Sequence, residues 1–153
     1  MRILICAAIL VLCAAPMLVV GQSQVEQELT RAAIEANRKL LVSENMDLTE
    51  EQEKAFWPLY DAYQKELGPI NKRTAKLIEE YIDNYSSLTD EKAKQLLAEF
   101  LAIDGDRVKL KKTYVEKFEK DLAPRTVARY FQIENKFEAI VKYELARRIP
   151  LVR

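Results

Sequence analysis

Residues 48–81 read LTEEQEKAFWPLYDAYQKELGPINKRTAKLIEEY. Within this stretch Phe56, Tyr60, Tyr63, Leu67, Ile70, Thr74, Leu77 and Tyr81 recur at alternating spacings of four and three residues. That pattern is a heptad seam, the side of a long helix that packs against another helix. Leu48-Thr49-Glu50-Glu51-Gln52 has the form of a helix start. Thr49 is the expected cap, Gln52 the reciprocal partner at the third helical position, and Leu48 the hydrophobic staple. Pro58 and Gly68-Pro69 fall inside the seam. Because the apolar register continues through both, they are expected to kink the helix and not to end it.

The sequence on either side has the same character. Upstream, Val25, Leu29, Ala32, Ala36 and Leu40 share one face of a helix expected over Val25–Ser43, with Asn45-Met46-Asp47 as a loop. Downstream, Asn84 to Leu88 breaks the pattern, and Leu88-Thr89-Asp90-Glu91-Lys92 repeats the helix-start signal with lysine in the glutamine position. A third helix follows on Ala93, Leu97, Phe100, Val108, Val115, Phe118 and Leu122. Its middle, Asp104-Gly105-Asp106-Arg107, is polar and reads as a bend or an exposed stretch, since a helical glycine costs about 1 kcal/mol against alanine. Pro124 suits the first turn of a fourth helix with Val127, Tyr130, Phe131, Phe137, Ile140, Val141 and Leu145 on its apolar side. Arg147 and Arg148 complement the dipole of its last turn, and Ile149-Pro150-Leu151-Val152 forms an apolar tail. The expected fold is all-α, an elongated four-helix hairpin or bundle with two long kinked helices. Helices of roughly 33 to 37 residues span about 50 Å each, too long for one chain of this size to wrap into a globe. A second copy is the expected cover for the remaining apolar seams.

The first residues stand apart. After Met1 and Arg2 no charge occurs from Ile3 to Val20, and Gln22 opens a polar sequence. A basic start, an apolar run and small residues at its exit describe a secretory signal peptide over residues 1–21, leaving a single domain over 22–153. An uncleaved anchor is the alternative, since the run reaches the lower limit for a bilayer span. Both cysteines, Cys6 and Cys13, belong to that segment, so the remainder has neither a disulfide nor a thiol. Removing Arg2 with it leaves 23 basic against 24 acidic residues. This balance gives no electrostatic case for nucleic acid or an anionic membrane as partner.

Chemistry is scarce. The chain has no histidine and three glycines, so it lacks the usual acid–base residue and the makings of a phosphate loop or nucleophile elbow. No catalytic residue, cofactor or metal site is expected. Asp104-Gly105-Asp106 lacks the alternating oxygen ligands and distal glutamate of a calcium loop. Met46 is the sole methionine after residue 21, so soft metal ligands are absent too. Glu134 falls among aromatics on the fourth helix and is a candidate buried charge. It calls for a cationic partner such as Arg73 or Arg107, with a ligand-binding role as the alternative. Phe56, Trp57 and Tyr60 are the candidate protein-contact residues, Trp57 especially, because it flanks the seam beside Pro58.

The pair Leu48-Thr49-x-x-Gln52 and Leu88-Thr89, some 40 residues apart, resembles the paired LTxxQ motifs of the Spy/CpxP family of bacterial periplasmic proteins. The resemblance covers nearly all of 22–153, and Lys92 departs from it. It implies an antiparallel homodimer shaped like a shallow cradle. It also implies a periplasmic, ATP-independent chaperone or envelope-stress accessory protein that binds unfolded or partner envelope proteins. Leu48, Thr49, Gln52, Leu88 and Thr89 would then shape helix starts and take no part in catalysis. The low methionine content and near-neutral charge favour, as the alternative, a dedicated modulator of one envelope signalling protein.

Overall fold

The computed structural model describes residues 37–152, and every regular element among them is helical. The chain divides into two units, Met1–Leu41 and Val42–Arg153. Of the first, residues 37–41 fall in the described range; they are helical, with Leu40 and Leu41 exposed. The expected signal peptide and the start of the first helix lie outside the described residues.

Among the described residues helix α1 covers 37–46. It runs past Ser43, so Asn45 and Met46 are helical where the sequence led us to expect a loop. The reason is packing: Val42 and Met46, one turn apart, both enter the core. The break comes at Asp47, whose φ of 53° is left-handed, a conformation that Asp tolerates better than most residues.

Helix α2 spans Glu50–Asn84 without interruption at Pro58 or Pro69. Its start is a complete capping box. The Thr49 N–H donates to Gln52 Oε1 at 3.0 Å, and the Gln52 N–H donates to Thr49 Oγ1 at 3.3 Å. Leu48 packs against the core beside it. After a 3₁₀ turn at Tyr85–Ser87, helix α3 spans Asp90–Phe118. Thr89 caps it by accepting the Lys92 N–H at 3.2 Å. The glutamine half of the second box is missing, and Lys92 instead reaches across the turn to Glu80 of α2. Helix α4 spans Pro124–Arg148, with proline in its first turn.

Contacts fix the directions of α2, α3 and α4. Glu66, Arg73 and Glu80 of α2 meet Tyr114, then Glu99 and Asp106, then Lys92 of α3, so these helices are antiparallel. Lys111 and Asp104 of α3 meet Glu138 and Lys142 of α4, so α4 runs back against α3 and along α2. The core gathers Phe56, Tyr60, Tyr63, Leu67 and Ile70 of α2, Ile103, Tyr114 and Phe118 of α3, Leu122, and Val127 and Tyr130 of α4. Tyr130 is its hub, with ring centroids 5.1 Å from Phe56, 5.2 Å from Phe118 and 5.9 Å from Tyr60. Each such pair adds about 0.5–1.5 kcal/mol to the burial of its area.

Helix α3 departs from the expected face. Leu96, Ile103, Tyr114 and Phe118 are its buried residues, whereas Leu97, Phe100 and Val108, expected inside, are exposed. The helix carries apolar residues on two sides, and it is the side of Leu96, Ile103 and Leu110 that is buried, with Ile103 in the core and Leu110 packed against it. Gly105 is helical with open space where a Cβ would stand, so the polar middle is unbroken helix, exposed at Gly105 and Asp106 and partly buried at Asp104 and Arg107. The helix stops at Phe118, and Leu122 enters the core from the connection to α4.

Candidate functional site

Two of the three residues expected to make protein contacts are unavailable for them. Phe56 is 0% and Tyr60 3% exposed. Both point into the core because they sit on the seam, and an aromatic stripe at helical spacing is spent on packing. Trp57 is half-buried. Its ring stands edge-on to Phe56 at 5.0 Å and to Tyr60 at 5.4 Å, so it covers the core's edge. Leu48, Thr49, Gln52, Leu88 and Thr89 lie at the two helix starts, where Thr49, Gln52 and Thr89 make the caps and Leu48 packs against the core.

Glu134 is 2% exposed, on the inner side of α4. Gln64 Nε2 of α2 donates to its Oε1 at 3.1 Å and lies 3.4 Å from the Tyr130 hydroxyl oxygen. The two arginines expected to serve it are engaged elsewhere. Arg73 binds Glu99 and Asp106, and Arg107 reaches Asn71, Thr74 and Glu138. They lie one or more turns further along the bundle, opposite other carboxylates. Burial first, and the Glu134 carboxylate second, push the Tyr130 phenol well above its ordinary pKa. Tyr114, which donates to Glu66 at 2.7 Å, is pushed up to about 12 by burial and then by that carboxylate. Gln64, Tyr130 and Glu134 thus make a polar contact between α2 and α4, and Tyr114 with Glu66 makes one between α3 and α2. Among the described residues no cluster of three or more His, Cys, Asp or Glu side chains could hold a metal.

The second unit has two dissimilar ends. The aromatic end comprises α2 up to Ile70, α3 from Leu110 and α4 up to Glu134, and it holds nearly all of the core. The turn end comprises the rest of these helices, around the Tyr85–Ser87 turn. Among the described residues of this unit, every exposed large apolar side chain belongs to the turn end. Ile82 comes from α2, Leu97, Phe100, Leu101 and Val108 from α3, Ile140, Val141 and Tyr143 from α4, and Leu151 and Val152 from the tail. Leu101 at 60% and Ile140 at 62% exposure are typical. The chain matches no family model, no curated protein and no solved structure. The surface must therefore be read from its own chemistry.

That chemistry is apolar side chains set among ion pairs. Arg73 Nε lies 2.9 Å from Glu99, Lys92 binds Glu80, and three cations of α3 and α4 surround Glu138. The Lys92 hydrogen bond and charge hold Glu80 below the usual carboxylate range. The tail is pinned to α2 where the Tyr81 hydroxyl donates to the Pro150 carbonyl at 2.8 Å. A surface so composed offers van der Waals and hydrophobic contact to another chain, with charges of both signs at its margins. Sequence reasoning missed it because Leu97, Phe100 and Val108 looked like core. The available signal was the rival seam Leu96, Ile103 and Leu110, spaced by seven. No described helix is long and apolar enough to cross a membrane.

Proposed function

We propose that this protein binds other proteins through the apolar surface of its turn end and performs no catalysis. In this reading it is an exported, periplasmic, ATP-independent chaperone or envelope-stress accessory protein that works as a homodimer. The observation that carries the proposal is the segregation of exposed apolar residues to one end of the second unit. Monomeric soluble proteins scatter such residues, and their concentration marks an interaction surface. The two LT helix starts and the apolar leader support the exported, Spy/CpxP-like part of the reading.

The test is suppression of aggregation by the purified protein, with two chemically unrelated unfolding clients at near-stoichiometric ratio and no ATP. Protection of both, weakened in a Leu101→Ser/Ile140→Ser variant, is the expected result. Failure to protect either client, from protein that is folded and helical, would overturn general chaperoning. The reading in its place would be a dedicated modulator of one envelope signalling protein, which the near-neutral charge favours.

A further inference from the structure

Helix α4 is seated in two different ways along its length. Its buried residues are Val127, Tyr130 and Glu134, all in the first half. Phe137, next along, still packs against the core. Beyond it α4 meets α3 through a set of ion pairs centred on one carboxylate. Lys111 Nζ of α3 lies 2.6 Å from Glu138 Oε2, Lys142 Nζ lies 3.0 Å from Glu138 Oε1, and Arg107 Nε lies 3.8 Å from the same oxygen. Lys111 also donates to Asn135 at 3.0 Å, and Lys142 stands 3.9 Å from Asp104 of α3. Through its other nitrogens Arg107 reaches Asn71 at 2.9 Å and Thr74 at 3.3 Å, so the same node touches α2. The Glu138 side chain is only 20% exposed and is shared by three cations, of which Lys142 also faces Asp104.

We infer that Glu138 is an electrostatic latch: it holds the second half of α4 on α3, and discharging or screening it releases that half while the aromatic end stays folded. Charge-assisted contacts of this kind are strong when partly desolvated and lapse when one partner loses its charge. The charged groups around the node are Arg107, Lys111 and Asp104 from α3 and Lys142 from α4, with Arg73, Asp106 and Glu99 forming the neighbouring α2–α3 cluster. Burial raises the Glu138 pKa, but the hydrogen bonds from Lys111 and Lys142 outweigh it and hold the carboxyl below its ordinary value of 4.5. The latch is therefore made at neutral pH and is lost as pH falls below the usual carboxylate range. Exposed Ile140, Val141 and Tyr143 ride on the released segment, so its release changes what the turn end presents.

Hydrogen exchange resolved by peptide tests the latch without reference to client binding. In Glu138→Gln, amides of residues 138–148 are expected to exchange roughly tenfold faster than in the unaltered protein at pH 7, while peptides covering 56–70 and 114–131 keep their rates. Molar salt should accelerate 138–148 in the unaltered protein and leave Glu138→Gln little changed. Unchanged exchange over 138–148 in the variant would overturn the inference. So would an equal acceleration of every peptide, which would make Glu138 a support of the whole fold. Lys111→Gln, which removes one cation and leaves the carboxylate, should give a smaller change in the same segment. A failure of the aggregation assay would leave these outcomes untouched.

Discussion

The two ends of the Val42–Arg153 unit are built from the same three helices yet held by different forces. At the aromatic end Tyr63, Tyr114, Phe118 and Tyr130 are essentially inaccessible, and rings stack edge to face across three helices. At the turn end only Leu96 and Ile103 of the large apolar residues are buried, and ion pairs of Arg73, Lys92, Arg107 and Lys142 join the helices. Hydrophobic burial is non-directional, whereas ion pairs are screened by salt and depend on the charge of both partners. One end therefore supplies stability and the other is left free to display apolar surface. The lesson is that a helix can be structural over one half and functional over the other, with the change made inside a single hydrophobic pattern.

The sharpest way to break the comparison is to exchange the roles. Tyr130→Ala removes the hub of the aromatic end and is expected to cost about 3–5 kcal/mol, as large aromatic truncations in cores do. Leu101→Ser at the turn end should move stability by less than about 0.5 kcal/mol. Denaturant unfolding of both variants checks this, and comparable losses would show that the ends do not differ.

Alkali provides the next test. Tyr114 and Tyr130 keep their protons in the folded state above the ordinary tyrosine value of 10.0, whereas in the unfolded chain they ionise there. Their contribution is complete below about pH 10 and is lost progressively as pH rises toward and beyond 12. A fall in melting temperature across that window is expected. Tyr114→Phe should make the fall shallower without abolishing it, because the replacement has no proton to lose and Tyr130 keeps its own.

The smallest expected effect is a gain. Gly105 is helical and exposed, with nothing within 4 Å of the place a methyl group would occupy. Gly105→Ala should therefore stabilise the protein by about 0.5–1 kcal/mol. Thermal melts decide it, and a loss of stability would mean that this stretch of α3 needs to bend.

Much of this was legible in the residues. The seam from Phe56 to Ile70 and the starts at Thr49 and Thr89 follow from spacing and capping chemistry, and Pro124 marks the first turn of α4. Two things were not legible, for a shared reason. Helix α3 presents apolar residues at 96, 103 and 110 and again at 97, 100, 101 and 108, and periodicity cannot say which set faces a partner. Glu134 could be placed inside from Tyr130 and Phe137 on either side, but its bond from Gln64 could not be foreseen. Arg73 and Arg107 look equally suitable until the register of α2 against α3 sets them opposite Glu99, Asp106 and Glu138. Partner choice is a property of register, and register is settled by the whole aromatic core.

Trp57 gives this asymmetry an optical consequence. It is the single tryptophan in the chain, and it sits against Phe56 and Tyr60 at the aromatic end. Indole fluorescence therefore watches one end of the bundle and is blind to the other, while far-ultraviolet dichroism counts helix at both. If the turn end loosens first, the dichroic signal will begin to fall while the emission spectrum still reports an intact interior.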